Sequence, residues 1–277
     1  MQTNLDGYLL MTDLDGTLLP ASKVLSEKDI SAIAKFRSMG GKFSIATGRV
    51  YESARQYFDD LHPDLPIILC NGGVIYDCDK KKALWSKMLP LETRQIIAEI
   101  LASFPEVSAE IDMENSIYVI GDNEQERYHM KISNTEDIVI HAQLSDIPDG
   151  WFKVLFAMPE GLIPKVVDFV ASKKYSGVDF VVSSKTFYEI LPTDISKGTA
   201  LKKLRSDYGF DKYKIAAAGD YDNDLTMIEA ADLGACPSNA QDIVKRSSDV
   251  VLRSSCEENA IAELVEYIIN NDNFNRR

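Results

Sequence analysis

The sequence predicts an α/β protein: a Rossmann-like parallel sheet with helices on both faces, interrupted by a smaller α+β domain. Three observations carry this. At both ends of the chain short apolar runs alternate with helical patterns, which is how βαβ units and a parallel sheet read. Over residues 83–190 the alternation stops and strand patterns follow one another directly, the texture of an antiparallel sheet with helices on one face. Finally, three apolar runs of the flanking parts each end abruptly in polar residues and a glycine, at the strand end where open α/β sheets hold their ligands. The expected boundaries are a discontinuous core over 1–82 and 191–277, with 83–190 as the insert.

The first strand is the apolar run Leu9-Leu10-Met11-Thr12, short and bounded by a turn signal as buried strands are. It stops at Asp13-Leu14-Asp15-Gly16-Thr17. Ser26 followed by Asp29 reads as a capping box that opens a helix with Ile30, Ile33 and Ala34 inward, and Gly40-Gly41 ends it. A second strand over 42–46 ends at Thr47-Gly48-Arg49, a helix is expected over 51–58, and a third buried strand over 66–70 ends at Asn71-Gly72-Gly73. In the insert the pattern predicts helices over 92–103 and 162–172, with strands over 107–111, 116–120, 128–132, 151–157 and 180–182. Alternation then resumes: a helix over 197–208, a strand over 213–218 ending at Gly219-Asp220, a helix over 224–230, and a strand over 233–236. A helix over 239–246, a strand over 249–252 and a closing helix over 257–269 complete the chain.

A chain of 277 residues with 45% hydrophobic and 26% charged residues has room for a substantial core. Its net charge of −13 argues against nucleic acid or an anionic membrane as partner, and an anionic substrate needs a local cation or a metal. Cys70, Cys78, Cys236 and Cys256 form no C-x-x-C pair and lie away from the three histidines, so zinc-finger spacing is absent and a disulfide framework is not expected. The first seven residues lack a signal pattern, and no apolar run approaches the ~20 residues of a spanning helix. These features lead to a cytoplasmic expectation.

Four polar clusters carry chemistry. Two aspartates at one strand end are costly to bury together unless a cation joins them, and Mg²⁺ is the common cation that prefers oxygen ligands. Thr17 can donate a hydroxyl hydrogen bond into the same pocket. Thr47-Gly48-Arg49 and Gly219-Asp220-Tyr221-Asp222-Asn223-Asp224 end two further strands of the sheet, so their side chains gather on one edge. Lys197 opens a helix, where the dipole disfavours a cation; dipole and ammonium together would favour a bound phosphate. No G-x-x-x-x-G-K-[ST] or G-x-G-x-x-G pattern occurs, so a nucleotide-driven motor or a dehydrogenase is not supported.

In this order the four clusters resemble the four motifs of the haloacid dehalogenase-like (HAD) hydrolase superfamily, and the insert between the second and third resembles the type IIB cap of its Cof-type branch. The resemblance spans essentially the whole chain. It implies a phosphatase, a phosphoric monoester hydrolase that is Mg²⁺-dependent and acts on small phosphorylated metabolites, sugar phosphates favoured, through an aspartyl-phosphate. By the same resemblance Asp13 is the nucleophile and Asp15 the acid and base. Mg²⁺ is held by Asp13, the backbone carbonyl of Asp15 and Asp220, with Asp224 binding directly or through water. Thr47, Lys197 and Asn223 hold the phosphate, and Arg49 and Asn71 contact phosphate or leaving group. Neither nucleic acid nor membrane is an expected partner, and the chain is expected to be a monomer or small homo-oligomer. Three other functions compete. A phosphomutase returns the phosphoryl group to substrate. A phospho-aspartate signalling module shares the acidic cluster but has no use for Asp15, which would speed loss of the signal. A non-catalytic binding module has no need of the complete set of catalytic side chains.

Overall fold

The computed structural model describes residues 4–114 and 116–271. They form two compact units: the described parts of 1–49, 55–85 and 196–277, and a second unit of 50–54 with 86–195. The chain opens with β1 (Tyr8–Thr12), α1 (Glu27–Ser38), β2 (Lys42–Ile45), α2 (Tyr51–Ala54), α3 (Phe58–Leu61), β3 (Ile67–Leu69), β4 (Val74–Asp77) and β5 (Lys82–Ser86). The second unit adds α4 (Thr93–Ser103), β6 (Ser108–Asp112), β7 (Ile117–Ile120), α5 (Glu124–Ser133), β8 (Val139–His141), β9 (Lys153–Ala157), α6 (Ile163–Lys173), β10 (Val178–Val182) and β11 (Phe187–Pro192). The first unit closes with α7 (Lys197–Tyr208), β12 (Lys214–Ala218), α8 (Leu225–Ala230), β13 (Leu233–Cys236), α9 (Asp242–Ser247), β14 (Val250–Val251) and α10 (Ala260–Asn270).

In the first unit a five-stranded sheet runs β14-β13-β12-β1-β2, every neighbouring pair parallel. β1 lies inside it because Leu9, Leu10 and Met11 are wholly apolar and wholly buried, as a strand covered on both faces requires. The register pairs Thr12 with both Ala218 and Ile45, so the ends of β1, β12 and β2 lie level and the residues after them share one edge. Ser26 caps α1 by accepting from the Lys28 and Asp29 amides, as its spacing suggests. α7 spans the expected 197–208, with Ser196 as N-cap and Gly209 in the left-handed region at its end.

The second unit is built on a six-stranded sheet in the order β10-β11-β9-β6-β7-β8, antiparallel except for the β7–β8 pair. α4 and α6 cover one face through Ile96, Ile97, Ile100, Val166 and Val170, packed on Ala109, Ile111, Val154, Phe156 and Ile190.

Several expectations change. Residues 128–132 are not a strand but the second half of α5, and their alternation is incidental. Asn123 accepts from the Glu126 amide, so the helix starts at an Asn-x-x-Glu signal that outweighs the period-2 pattern. α5 lies on the face opposite α4 and α6, because its His129 meets Glu110, the neighbour of inward-facing Ala109 and Ile111. Helices therefore cover both faces of this sheet. Finally, β3 pairs antiparallel with β4 in a three-stranded sheet, β3-β4-β5, and lies beside β2 of the parallel sheet through the Ala46–Ile68 bridge. The helix expected over 51–58 is broken by a 3₁₀ turn at Arg55–Tyr57. β4, β5, β8 and β11 have no counterpart among the expected strands. Among the described residues no helix is long and apolar enough to cross a membrane.

Candidate active site

Asp13 comes directly after β1 and its amide still donates to the Ala218 carbonyl of β12, so the aspartate is fixed at the sheet edge by backbone pairing. The chain then turns at Gly16, whose φ of +84° lies in the left-handed region. A Cβ there would sit 2.4 Å from the Asp220 carboxylate, so only glycine lets the turn approach the β12 end. Across this gap the Thr17 hydroxyl donates to Asp220 Oδ1 at 2.9 Å.

Lys197, the first residue of α7, is fully buried. Its ammonium donates to Asp13 Oδ1 and to Asp224 Oδ1, both at 2.6 Å. Asp224 Oδ2 in turn accepts from the backbone amides of Asp220 and Tyr221 at 3.0 and 3.2 Å. Carboxylate oxygens of Asp13, Asp220 and Asp224 lie within 4.8 Å of one another. One ammonium thus faces three carboxylates. Burial pushes the Asp13 carboxyl well above its ordinary range; Lys197 opposes this, and Asp224, Asp220 and Asp15 add to it. Burial, then the Asp224 charge, pushes Asp220 up to about 7. An all-oxygen donor set under mutual repulsion fits a hard divalent cation such as Mg²⁺.

This electrostatic load predicts how stability depends on pH. An acid whose folded pKa is raised binds a proton in the folded chain at pH values where the unfolded chain has lost it. For Asp220 that window runs from the ordinary 3.8 up to about 7, so its unfavourable contribution in metal-free protein grows as pH rises through the window. A bound cation is expected to cancel it. The gain in melting temperature on adding Mg²⁺ to chelated protein should therefore be large at pH 8 and shrink towards pH 5. An equal gain at both ends of a thermal-unfolding series would contradict this.

Asp15 points elsewhere. Arg49 grips it with Nε to Oδ2 at 2.6 Å and Nη2 to Oδ1 at 2.8 Å, and the Lys23 ammonium meets Oδ1 at 2.6 Å. Burial acts to raise this carboxyl, but Arg49 and then Lys23 outweigh it and hold Asp15 far below the usual carboxylate range. Thr47 is buried, and its hydroxyl oxygen accepts from the Arg49 amide at 3.1 Å. Asn71, buried with φ of +55°, donates its amide to the Thr47 carbonyl and accepts from Asn223 Nδ2 at 2.9 Å.

The structure therefore gathers Asp13, Lys197, Asp220 and Asp224 in direct contact or within ligand range, and ties Thr47, Asn71 and Asn223 into a neighbouring chain of hydrogen bonds. It sets Arg49 on Asp15. Two residues that pattern reading misses also bear on the site. Lys23 completes the clamp on Asp15, although nothing in its neighbourhood marks it. Asn239 donates to the Gly16 carbonyl at 2.8 Å and accepts from the Cys256 amide at 2.8 Å, which pins the turn after Asp15 to the C-terminal part of the chain.

A family model described as haloacid dehalogenase-like hydrolase matches residues 10–265. The chain is similar to a 5-amino-6-(5-phospho-D-ribitylamino)uracil phosphatase of Bacillus subtilis, 26% identical with 94% of this chain and 97% of the relative covered. It is also similar, at 26% identity, to a pyridoxal phosphate phosphatase of Escherichia coli, with 94% and 98% covered. Among solved structures, a HAD/COF-like hydrolase of Plasmodium vivax superposes with a TM-score of 0.83 at 21% identity, over 96% of each chain, a likeness of fold.

Proposed function

Because the chain belongs to the haloacid dehalogenase-like hydrolase family, in its Cof-type branch, and is a phosphoric monoester hydrolase, we propose that it hydrolyses small organic phosphates, sugar phosphates favoured, through an aspartyl-phosphate on Asp13 with Mg²⁺ as cofactor. The observation that supports this best is the buried Lys197 ammonium held at 2.6 Å from both Asp13 and Asp224, with Asp220 beside them. The relatives' names point the same way, each to a small phosphorylated metabolite. A cytoplasmic setting is part of the proposal and accords with four cysteines none of which forms a disulfide among the described residues.

In this reading an Asp13 carboxylate oxygen attacks phosphorus and the bond to the leaving oxygen breaks. Lys197 favours the ionised form of Asp13 against its burial and lessens the repulsion between nucleophile and phosphate. Asp15 protonates the leaving oxygen, then takes a proton from the water that cleaves the acyl phosphate. The Arg49 and Lys23 contacts hold Asp15 ionised, so it must give up at least part of that clamp and take up a proton from solvent before it can pass that proton to the leaving oxygen. Arg49 would then be free to turn to a phosphoryl oxygen, with Thr47, Asn223 and Asn71 as further contacts. Mg²⁺, held by Asp13, Asp220 and the Asp15 carbonyl, with Asp224 directly or through water, would supply charge neutralisation at the phosphoryl oxygens.

Chelation is expected to abolish turnover and Mg²⁺ to restore it, whereas Ca²⁺ should inhibit because its larger and looser coordination misplaces the nucleophile. Full activity in excess chelator would refute the cofactor assignment. A panel of phosphate esters, read by phosphate release, tests the substrate class; turnover of nucleotides or phospho-amino acids with no sugar phosphate accepted would overturn that preference.

The second unit is proposed to be the cap that selects the leaving group. Replacing polar residues of its surface is expected to shift preference among large phosphate esters while leaving acetyl phosphate, which offers little to grip, almost unaffected. A scan that alters both equally would argue against this role.

A further inference from the structure

The second unit holds a buried ionic cluster that the phosphatase chemistry does not use. On the sheet face beneath α5 lie the carboxylates of Glu110, Asp112 and Glu189, and α5 adds Glu126; none is more than 5% exposed. Against these four stands one buried ammonium, Lys153, 3.2 Å from Asp112 and 4.0 Å from Glu189. The imidazole of His129 completes the cluster, its Nδ1 3.1 Å from Glu110 Oε2 and its Nε2 3.3 Å from the Ser133 hydroxyl.

Glu126 is the informative member. It is fully buried and no donor group of the protein reaches either of its carboxylate oxygens, which face the Glu110 carboxylate; Asp112 Oδ1 is likewise without a donor. Buried polar groups are nearly always satisfied, and a carboxylate pair is satisfied by a proton or by a cation. One oxygen each of Glu110 and Glu126 and one ring nitrogen of His129 lie within 4.8 Å of one another. Two donors bound to one tetrahedral ion at ~2.0–2.1 Å stand ~3.3 Å apart. The Glu110–His129 contact of 3.1 Å is close to that edge.

We propose that Glu110, Glu126 and His129 form a second metal site, lying within the α+β unit, for a divalent cation of the Zn²⁺ and Mn²⁺ class. An imidazole among the donors disfavours Ca²⁺ and Mg²⁺, which select oxygen, and suits these borderline ions. Bound through Nδ1, His129 would keep Nε2–H for Ser133 Oγ, the outer contact that fixes the ring of a ligating histidine. The ion would tie α5 to β6, and its charge would offset most of the excess of carboxylates over Lys153. The competing explanation is a proton shared by Glu110 and Glu126. Burial, then the Glu110 charge, pushes Glu126 up to about 9, so a proton can reside there at neutral pH.

Zinc stoichiometry separates the two. The full chain, free of any tag, is dialysed against Zn²⁺ in the Asp13→Asn/Asp220→Asn background, which weakens the aspartate site of the first unit, and bound metal is measured by elemental analysis. One equivalent is expected to remain, and adding Glu126→Gln is expected to remove it. As a second readout, Co²⁺ in the wild-type chain should give the visible absorption of a nitrogen-containing site of low coordination number, lost in Glu126→Gln and in His129→Gln. These readouts do not depend on phosphatase activity. If the double variant binds no zinc, or if Glu126→Gln and His129→Gln keep both the equivalent and the cobalt spectrum, the shared proton is the explanation and the proposal is overturned.

Discussion

Asp13→Asn is expected to leave essentially no turnover of any phosphate ester while the protein stays folded. The loss is total because an amide cannot form the acyl phosphate, and the neighbouring carboxylates are engaged elsewhere: Asp15 is held by Arg49 and Lys23, Asp220 accepts from Thr17, and Asp224 has both oxygens engaged by Lys197 and backbone amides. Stability should change by only ~1–2 kcal/mol, the ordinary range for a point substitution. The variant loses one Lys197 ion pair but also removes one of the carboxylates whose mutual repulsion raises the Asp13 carboxyl. Steady-state phosphate release together with thermal unfolding checks both halves. Wild-type turnover in a folded Asp13→Asn protein would show that the nucleophile is elsewhere.

Lys197→Met is expected to cost both activity and stability. Lys197 is fully buried and is the shared partner of Asp13 and Asp224. Breaking a buried ion pair by removing one partner typically costs ~3–5 kcal/mol, because the other charge is left in a medium that solvates it poorly. Here two carboxylates are left, beside Asp220. Methionine fills much the same volume, so the loss is electrostatic rather than a cavity effect. Saturating Mg²⁺ should therefore recover part of the stability but little of the rate, since the nucleophile still faces an anionic phosphate without the ammonium. Chemical denaturation with and without Mg²⁺ reads the first; phosphate release reads the second. A variant as stable as the parent in chelator would contradict the role given to this lysine.

Much of the core was legible because its signals are local. Leu9-Leu10-Met11 had to be a covered strand, and a strand of a parallel sheet delivers the residues at its carboxyl end, here Asp13, to the ligand edge. Lys197 stood out because a cation opening a helix opposes the dipole, and the structure supplies the reason in Asp13 and Asp224. Contacts that depend on tertiary reach were not legible. Arg49 and Asp15 are 34 residues apart and Asn239 and Gly16 are 223 apart, and no periodicity encodes such meetings. The strand expected over 128–132 failed for a different reason. Tyr128, Met130 and Ile132 alternate, but Met130 is buried in a helix whose other buried positions, Glu126 and Ser133, are polar. With charged and hydroxyl residues on its inner face, α5 shows no apolar stripe, and period 3.6 could not be seen. The same inward-facing polar residues make up the cluster around Glu110.

The proposed mechanism depends on Asp13 carrying the phosphoryl group between substrate and water. The most direct measurement is to quench the wild-type enzyme in acid during turnover of a radiolabelled phosphate ester and map the label by peptide. Label on the peptide that contains Asp13, released by hydroxylamine as an acyl phosphate is, and absent from Asp13→Asn, is the predicted result. Steady turnover with label on another residue, or with none trapped on Asp13 even when Asp15→Asn slows breakdown of the intermediate, would contradict it.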